Sequence, residues 1–442
     1  MAASKKSILE KAEELRVRTV RLQFTDFLGT NKNVSIPVDE LPKALDGQIL
    51  FDGSSIHGFV RIEESDMLLR PDLDTFALIP WKAEPDVTAR LICDITNPDG
   101  SPFDGCPRTV LRRVVERARA MGYTLNAGPE AEFFLFHTGQ NGVPTTLTHD
   151  EAGYFDLGPV DLGEDVRRDI VTALEDMGFD VEASHHEVAP GQHEIDFKYE
   201  DALRTADNVT TFEYVTRSVA LKHGLHATFM PKPIFGINGS GMHVHLSLFK
   251  NGRNVFYDAK SKDQLSKTCR YFVGGLLKHA KGFCAITNPL VNSYKRLVPG
   301  YEAPIYICWS ERNRSPLVRV PARRGEGTRV ELRNPDPSCN PYLALAVIFA
   351  AGLDGIENEI EPPERVVVNV YKLGREERVM RKIPTLPGTL KDALGELQKD
   401  KLICETLGSH VLKHFVEAKT QAWEEYNAMV HQWELDRYLA TH

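Results

Sequence analysis

The stretch ARLICDITNPDGSPFDGCPRTVLRRVVERARAMGY, residues 89–123, divides the chain. ARLICDI reads as a strand and TVLRRVVERARAMGY as an amphipathic helix. Between them ITNPDGSPFDGCPRT holds three Pro and two Gly, which favour turns and a connection between folding units. The boundary is placed there, giving domains at 1–103 and 104–442. On the N-terminal side TVRLQFTDFLG and NVSIPV alternate as half-buried strands, preceded by a helix whose apolar face is Ile8, Ala12 and Leu15. A small mixed sheet fits this part. On the C-terminal side helices mix with many short strands, without repeats, so one large α+β domain is expected.

The 442 residues are 42% apolar and 26% charged, the composition of a globular protein with a sizeable core. A net charge of −9 argues against nucleic acid or an anionic membrane as the main partner. The seven cysteines are scattered without a CxxC pair, which excludes a disulfide framework and a zinc knuckle and suits a reducing, cytoplasmic setting. No secretion signal is visible. The longest apolar run, Tyr342 to Leu353, falls short of the ~20 residues a membrane span needs and is expected as a buried helix beginning at Pro341. From Ser409 to Leu439, Leu412, Phe415, Val416, Trp423, Tyr426, Val430, Trp433 and Tyr438 recur at helical spacing. That face either packs on its own core or lies between subunits.

Four strand-like segments carry acids, histidines or arginines on their polar face. In PEAEFFLF, Glu130 and Glu132 share a face with Phe134 and Phe136, while Ala131, Phe133 and Leu135 take the other. In HHEVAPGQHEIDF, Glu187 and Glu194 flank a Pro-Gly turn that would fold them together as a hairpin. In GSGMHVHLSL a glycine turn leads to His243, His245 and Ser247 on one face, and in TRVELRNPDP Arg329, Glu331 and Arg333 oppose Val330 and Leu332. Alone, a Glu-x-Glu strand is commoner as a solvated edge, and a His-x-His is about as often a structural pair as a ligand pair. Together, five glutamates and a histidine would repel strongly unless cations neutralised them. Oxygen-rich ligation without thiolate favours Mg²⁺ or Mn²⁺, and two ions with open positions suit phosphoryl transfer or metal-assisted hydrolysis.

A second constellation runs from Asn288 to Arg333 and contains Arg296, Arg312, Arg314, Arg319, Arg323, Arg324, Arg329 and Arg333. Interleaved glutamates and the acidic balance argue against an RNA-binding patch, and the forked guanidinium suits carboxylate and phosphate oxygens. There is no GxxxxGK[ST] motif, and GSG at 239–241 lacks the third glycine of a dinucleotide fingerprint.

At these residues the sequence resembles type I glutamine synthetases along essentially its whole length. FDGSS (51–55), PEAEFF (129–134), HHEVAPGQHEI (185–195), NGSGMHVHLS (238–247), NPLVNSYKRLVPGYEAP (288–304), RNRS (312–315) and RVELRNPDPSCNPYLALA (329–346) stand in the family's order. The resemblance implies a β-grasp domain before a catalytic domain with a curved antiparallel sheet flanked by helices. It implies a homo-oligomer, a dodecamer of two hexameric rings with active sites between subunits, and the reaction of ATP, glutamate and ammonia to glutamine. A ligase for a larger amine such as a polyamine, or a non-catalytic relative, is the alternative.

Residue roles follow from the same resemblance. Glu132, Glu187 and Glu194 would hold one Mg²⁺ or Mn²⁺ ion, and Glu130, His243 and Glu331 the other. Arg314 and Arg333 would neutralise the transferring phosphoryl group, Arg296 and Gly239 would bind glutamate, and His245, Ser247, Arg319 and Arg329 would face ATP. Asp52, beside Ser55, would take a proton from ammonium in a neighbouring subunit's site, and Glu302 would close over it. GFVRIEESDM with Arg61 resembles the glutamine-inhibited alpha subtype, whose members can have a regulatory protein partner.

Overall fold

The computed structural model describes residues 3–56, 58, 66–301, 303–311 and 313–442. Helix Lys5–Glu14 starts at Ser4, whose side chain accepts from the Ser7 amide, and it buries Ile8 and Ala12 one turn apart. Its apolar face joins a five-stranded sheet in the order Asn31–Pro37, Thr19–Thr25, Thr88–Thr96, Asp66–Leu78, Ile49–Asp52. Thr19–Thr25 and Thr88–Thr96 run parallel and the other pairs antiparallel, the mixed sheet expected. Val20, Leu22, Leu69 and Leu91 point into a core shared with Ile8 and Leu41.

Helix Pro107–Ala120 follows residues 97–106 and places Pro at its first turn, where the missing N–H would have had no partner. Next to it Arg108, 3% exposed, ties the two parts of the chain. It donates to Asp94 (2.9 Å) and Asp72 (2.6 Å) in the small sheet and twice to Asp207 (2.9 Å each) in helix Ala202–Lys222.

The second sheet has eleven strands, with the main path Trp309–Glu311, Val318–Val320, Val330–Leu332, Met242–Lys250, Thr124–Thr138, Gln192–Phe197, Val181–His186. It is mixed rather than wholly antiparallel, because Trp309–Glu311 runs parallel to Val318–Val320. Three residues of strand span only ~10 Å, a distance that the six residues between them can retrace. Ala131, Phe133, Leu135, Met242, Val244, Leu246, Val330 and Leu332 form its buried face. The apolar run becomes helix Pro341–Glu357, whose amides at Tyr342 and Leu343 donate to the Asn340 side chain. It packs against Lys267–Thr287 so closely that a Cβ on Gly275 would stand 2.1 Å from the Ala351 carbonyl.

The C-terminal aromatic stretch splits into helices Lys401–Ala428 and Gln432–Tyr438. Phe415 is buried and Leu412, Val416 and Trp423 pack on the main core, whereas Val430, Trp433 and Tyr438 are 45–70% exposed. The first half therefore serves this chain's core and the second is uncovered. Among the described residues, no helix is long and apolar enough to cross a membrane. All seven cysteines are unpaired thiols, six of them buried.

Candidate active site

The sheet register lines up the polar residues. Arg319 pairs with Glu331, Glu331 with His245, and His243 with Glu130. One step on, Glu132 pairs with Glu194, and Glu194 with His185 across the hairpin around the Pro190-Gly191 turn. Paired residues share a face, so a row of ionisable groups crosses six strands opposite the apolar face that meets the helices. Phe134 and Phe136 continue the face of Glu130 and Glu132 further along, stacked 5.5 Å apart beside Ala189.

This row floors a cleft of about 690 Å³ walled by Tyr154, Asn313, Arg314, Ser315, Asn369 and Tyr371. A neighbouring hollow of about 330 Å³ shares Glu130 and Asp196 and adds His245, Ser247, Arg323 and Arg329. Two groups in the cleft hold their donor atoms within 4.8 Å of one another: Glu130 with His243 and Glu331, and His185 with Glu187 and Glu194. Glu331 is 1% exposed; Arg319 Nη1 donates to its Oε2 at 2.5 Å and Arg333 Nη1 to its Oε1. Burial raises its pKa, but Arg333 above all brings it below the ordinary carboxylate range. Arg329 Nε donates to His245 Nδ1 (3.0 Å), so His245 carries its proton on Nε2 and donates to Glu130 (2.6 Å). Against burial, hydrogen bonds from His243 and His245 hold the Glu130 carboxyl far down.

In the other half, among the described residues, burial and repulsion outweigh the compensation. Burial and the charges of Glu187 and Glu194 push Glu132 up; burial and then Asp196 do the same to Glu194; burial and Glu130 bring Asp196 to about 6. A divalent cation would relieve that repulsion, and carboxylates with one imidazole suit Mg²⁺ or Mn²⁺. Two further clusters, His149–Asp150–His193 and Asp161–His186–His193, differ. In the second, Arg167 donates to His193 Nδ1 (2.9 Å) and pairs with Asp161 (2.6 Å), so a guanidinium already meets that group and leaves the His193 proton on Nε2; in the first, His149 Nε2 lies 3.0 Å from Asp150 Oδ2.

Residues 104–438 match the family model described as glutamine synthetase, catalytic domain, and residues 16–98 the one described as glutamine synthetase, beta-Grasp domain. The glutamine synthetase of Thermus thermophilus is 60% identical over the full length of both chains. That of Clostridium saccharobutylicum is 58% identical over 99% of this chain and 98% of its own. The chain belongs to the glutamine synthetase family. Among solved structures, the Plasmodium falciparum glutamine synthetase superposes with a TM-score of 0.88 at 26% identity, covering 99% of each chain. The GmaS/ADP complex superposes at 0.89 with 33% identity, covering 98% of this chain and 99% of that one.

The cleft of this glutamine synthetase fold gathers Glu130, Glu132, Glu187, Glu194, His243, Arg314, Arg319, Glu331 and Arg333. Glu132 lies outside both ligating groups: its Oε2 accepts from Gln192 Nε2 (2.8 Å) and the Gly241 amide (2.9 Å). Arg296 is buried and does not line the cleft; its Nη1 donates to the Asn334 carbonyl at 2.8 Å. Gly239 has no room for a Cβ, which would sit 2.2 Å from the Pro231 carbonyl. Asp52 ends strand Ile49–Asp52 of the small sheet, Ser55 lies in the turn after it, and neither lines the cleft. Asp52 accepts from the Ser54 amide (2.8 Å) and hydroxyl (2.6 Å), which lower its pKa. Glu302 and Arg61 lie outside the described residues. His185 and Asp196 escaped the sequence reading although each is two residues from a chosen glutamate. Tyr154, hydrogen-bonded to Arg314, had no local signal.

Proposed function

We propose that this chain joins ammonia to the γ-carboxylate of L-glutamate at the expense of ATP, giving glutamine, ADP and phosphate. The observation that carries the reading is the pair of ligating groups facing one cleft with Arg314 and Arg333, in a chain 60% identical to a glutamine synthetase. The larger-amine and non-catalytic readings are disfavoured, since relatives at 56–60% identity are named glutamine synthetases.

Glu187 and Glu194 with His185 or Glu132 would hold one ion, and Glu130, His243 and Glu331 a second. Bound there, Mg²⁺ or Mn²⁺ would neutralise phosphate charge and polarise the oxygens to be transferred. The residues do the rest. A carboxylate is a poor electrophile, so the γ-carboxylate first takes the terminal phosphoryl group, becoming an acyl phosphate that ammonia can attack. Arg314 and Arg333 are suited to the charge spreading over that group. Ser247, Arg319 and Arg329, with His245, supply the donors of the nucleotide side. For glutamate, Gly239 admits close backbone approach, and Arg296 acts by holding the Asn334 carbonyl unless the substrate displaces that bond.

Ammonium must lose a proton before attack. Asp52, exposed and kept anionic by Ser54 with Ser55 Oγ at 3.3 Å, is suited to that task in the cleft of a neighbouring copy. Such sharing requires an assembly of copies, and we assign this chain to dodecamers of two hexameric rings. The uncovered apolar end of the chain supports that assembly. Glu302 is proposed to close the site against water, and Arg61 to mediate inhibition by glutamine, as in the alpha subtype, with room for a regulatory protein partner. The compartment proposed is the cytoplasm.

Purified protein given ATP, Mg²⁺, glutamate and ammonium is expected to form glutamine and ADP in equal amounts. No glutamine, or ADP release with larger amines and not with ammonium, refutes the reading.

A further inference from the structure

Asp150 is buried, follows strand Pro144–Thr148 and does not line the cleft, yet it holds both ends of the turn that carries Glu187. Its Oδ1 accepts from His186 Nε2 (3.1 Å) before the turn and from the Gly191 amide (2.9 Å) after it. Its Oδ2 accepts from the Leu162 amide at 3.2 Å and lies 3.0 Å from His149 Nε2. The contacts reach the cleft in one step. His186 Nδ1 donates to the Glu187 carbonyl (2.7 Å), and Gln192, next after Gly191, donates to Glu132 (2.8 Å). Gly191 is at φ +67°, and its carbonyl accepts from the Leu135 amide at 2.9 Å.

Resting on the reading above that Glu187 and Glu194 hold a divalent ion, we propose that Asp150 is a positioning residue for that ion group. It fixes the Glu187–Gln192 turn from behind and so sets the spacing of the carboxylates around the ion. Glu130, His243 and Glu331 stand on three other strands and share no hydrogen bond with Asp150. The consequence is selective: removing Asp150 disturbs one ion and spares the other.

The test is Mn²⁺ binding to the full-length protein followed by electron paramagnetic resonance, which needs no turnover. Wild type is expected to bind two ions per active site, the ion at this group being the one lost in Glu187→Gln. Asp150→Ala is expected to weaken that ion about 10- to 100-fold, the usual effect of losing a group that orients ligands, and to leave the second within twofold. Asp150→Asn, which retains an acceptor oxygen for Gly191, recovers most of the affinity. If Asp150→Ala does not fold, Asp150→Ser takes its place with the same expectation. Unchanged affinity, equal weakening of both ions, or no recovery in Asp150→Asn overturns the proposal. Wild type that binds no Mn²⁺ overturns the ion reading itself, and the proposal with it.

Discussion

Replacing Glu331 by Gln keeps the volume of the side chain and removes one charge. The amide retains one acceptor for two guanidinium groups, so either Arg319 (2.5 Å in the wild type) or Arg333 loses its partner. Arg333 is 6% exposed, and stranding a buried charge costs roughly 3 kcal/mol or more. The substitution also forfeits a bond to a charged group worth about 1.5–3 kcal/mol, so the variant should unfold at lower temperature while remaining folded at 25 °C. Activity should fall further than stability does. If Glu331 completes the group with Glu130 and His243, its loss removes charge stabilisation of ~3–4 kcal/mol at the phosphoryl group, a 10²- to 10³-fold loss of kcat. The assay is glutamine formation at saturating ATP, glutamate, ammonium and Mg²⁺, with thermal unfolding monitored in parallel. Retention of more than about a tenth of wild-type kcat would refute the assignment of Glu331 as a ligand.

Three further outcomes are expected. Arg108→Met leaves Asp207 buried without its cation while Asp94 keeps Arg112 at 2.6 Å, so stability should fall by roughly 3 kcal/mol and Asp207→Asn should restore part of it; wild-type stability in the single variant would refute the staple. His279 donates to Asp400 (2.7 Å) and Asp354 (2.9 Å), and although burial opposes it, these bonds raise its pKa. Its stabilisation is therefore present below the ordinary histidine pKa and lost as pH rises through the raised one, so the Tm gap between wild type and His279→Gln should shrink from pH 6 to pH 9; a constant gap counts against it. If Asp52 serves a neighbour's cleft, inactive Asp52→Ala and Glu331→Gln chains assembled together at equal ratio should recover up to about a quarter of the sites, and activity no greater than the sum of the two alone would exclude sharing.

Patterns of period two were legible because a strand's faces are a local property. Glu130, Glu132, His243, His245 and Glu331 alternate with buried Ala131, Phe133, Met242, Val244 and Leu332, and register brings their polar face into one row. The same logic would have found His185 and Asp196 had the count been carried two residues beyond the glutamates. Other features depend on what lies across space. Arg296 and Arg314 occur in the same arginine-rich stretch, but one is turned into the carbonyls of residues 333–335 and the other toward Tyr154. The helical periodicity after Ser409 continues through Met429 although the helix does not, because spacing does not record where a chain turns. Asp150 sits in a polar loop and is distinguished only by the turn it meets.

The two halves of the cleft differ in how their charge is met, and this orders the ions. Around Glu130 and Glu331 the protein provides its own counter-charges, Arg319 and Arg333, together with the hydrogen-bonding His243 and His245. A cation entering there must displace or share those partners. A unit pair at 4 Å with an effective dielectric constant near 20 is worth about 4 kcal/mol, and giving up even a third of it costs about tenfold in affinity. Among the described residues, the near ionisable neighbours of Glu187 and Glu194 are His185 and further carboxylates, so a cation there relieves repulsion. The ion at Glu187 and Glu194 should therefore bind first and more tightly, by about tenfold or more. In a Mn²⁺ titration Glu187→Gln should remove the tight phase, and Glu130→Gln should remove the weak one. The reverse pattern would mean that the guanidinium groups turn away at no cost, and the charge balance proposed for this half of the cleft would be wrong.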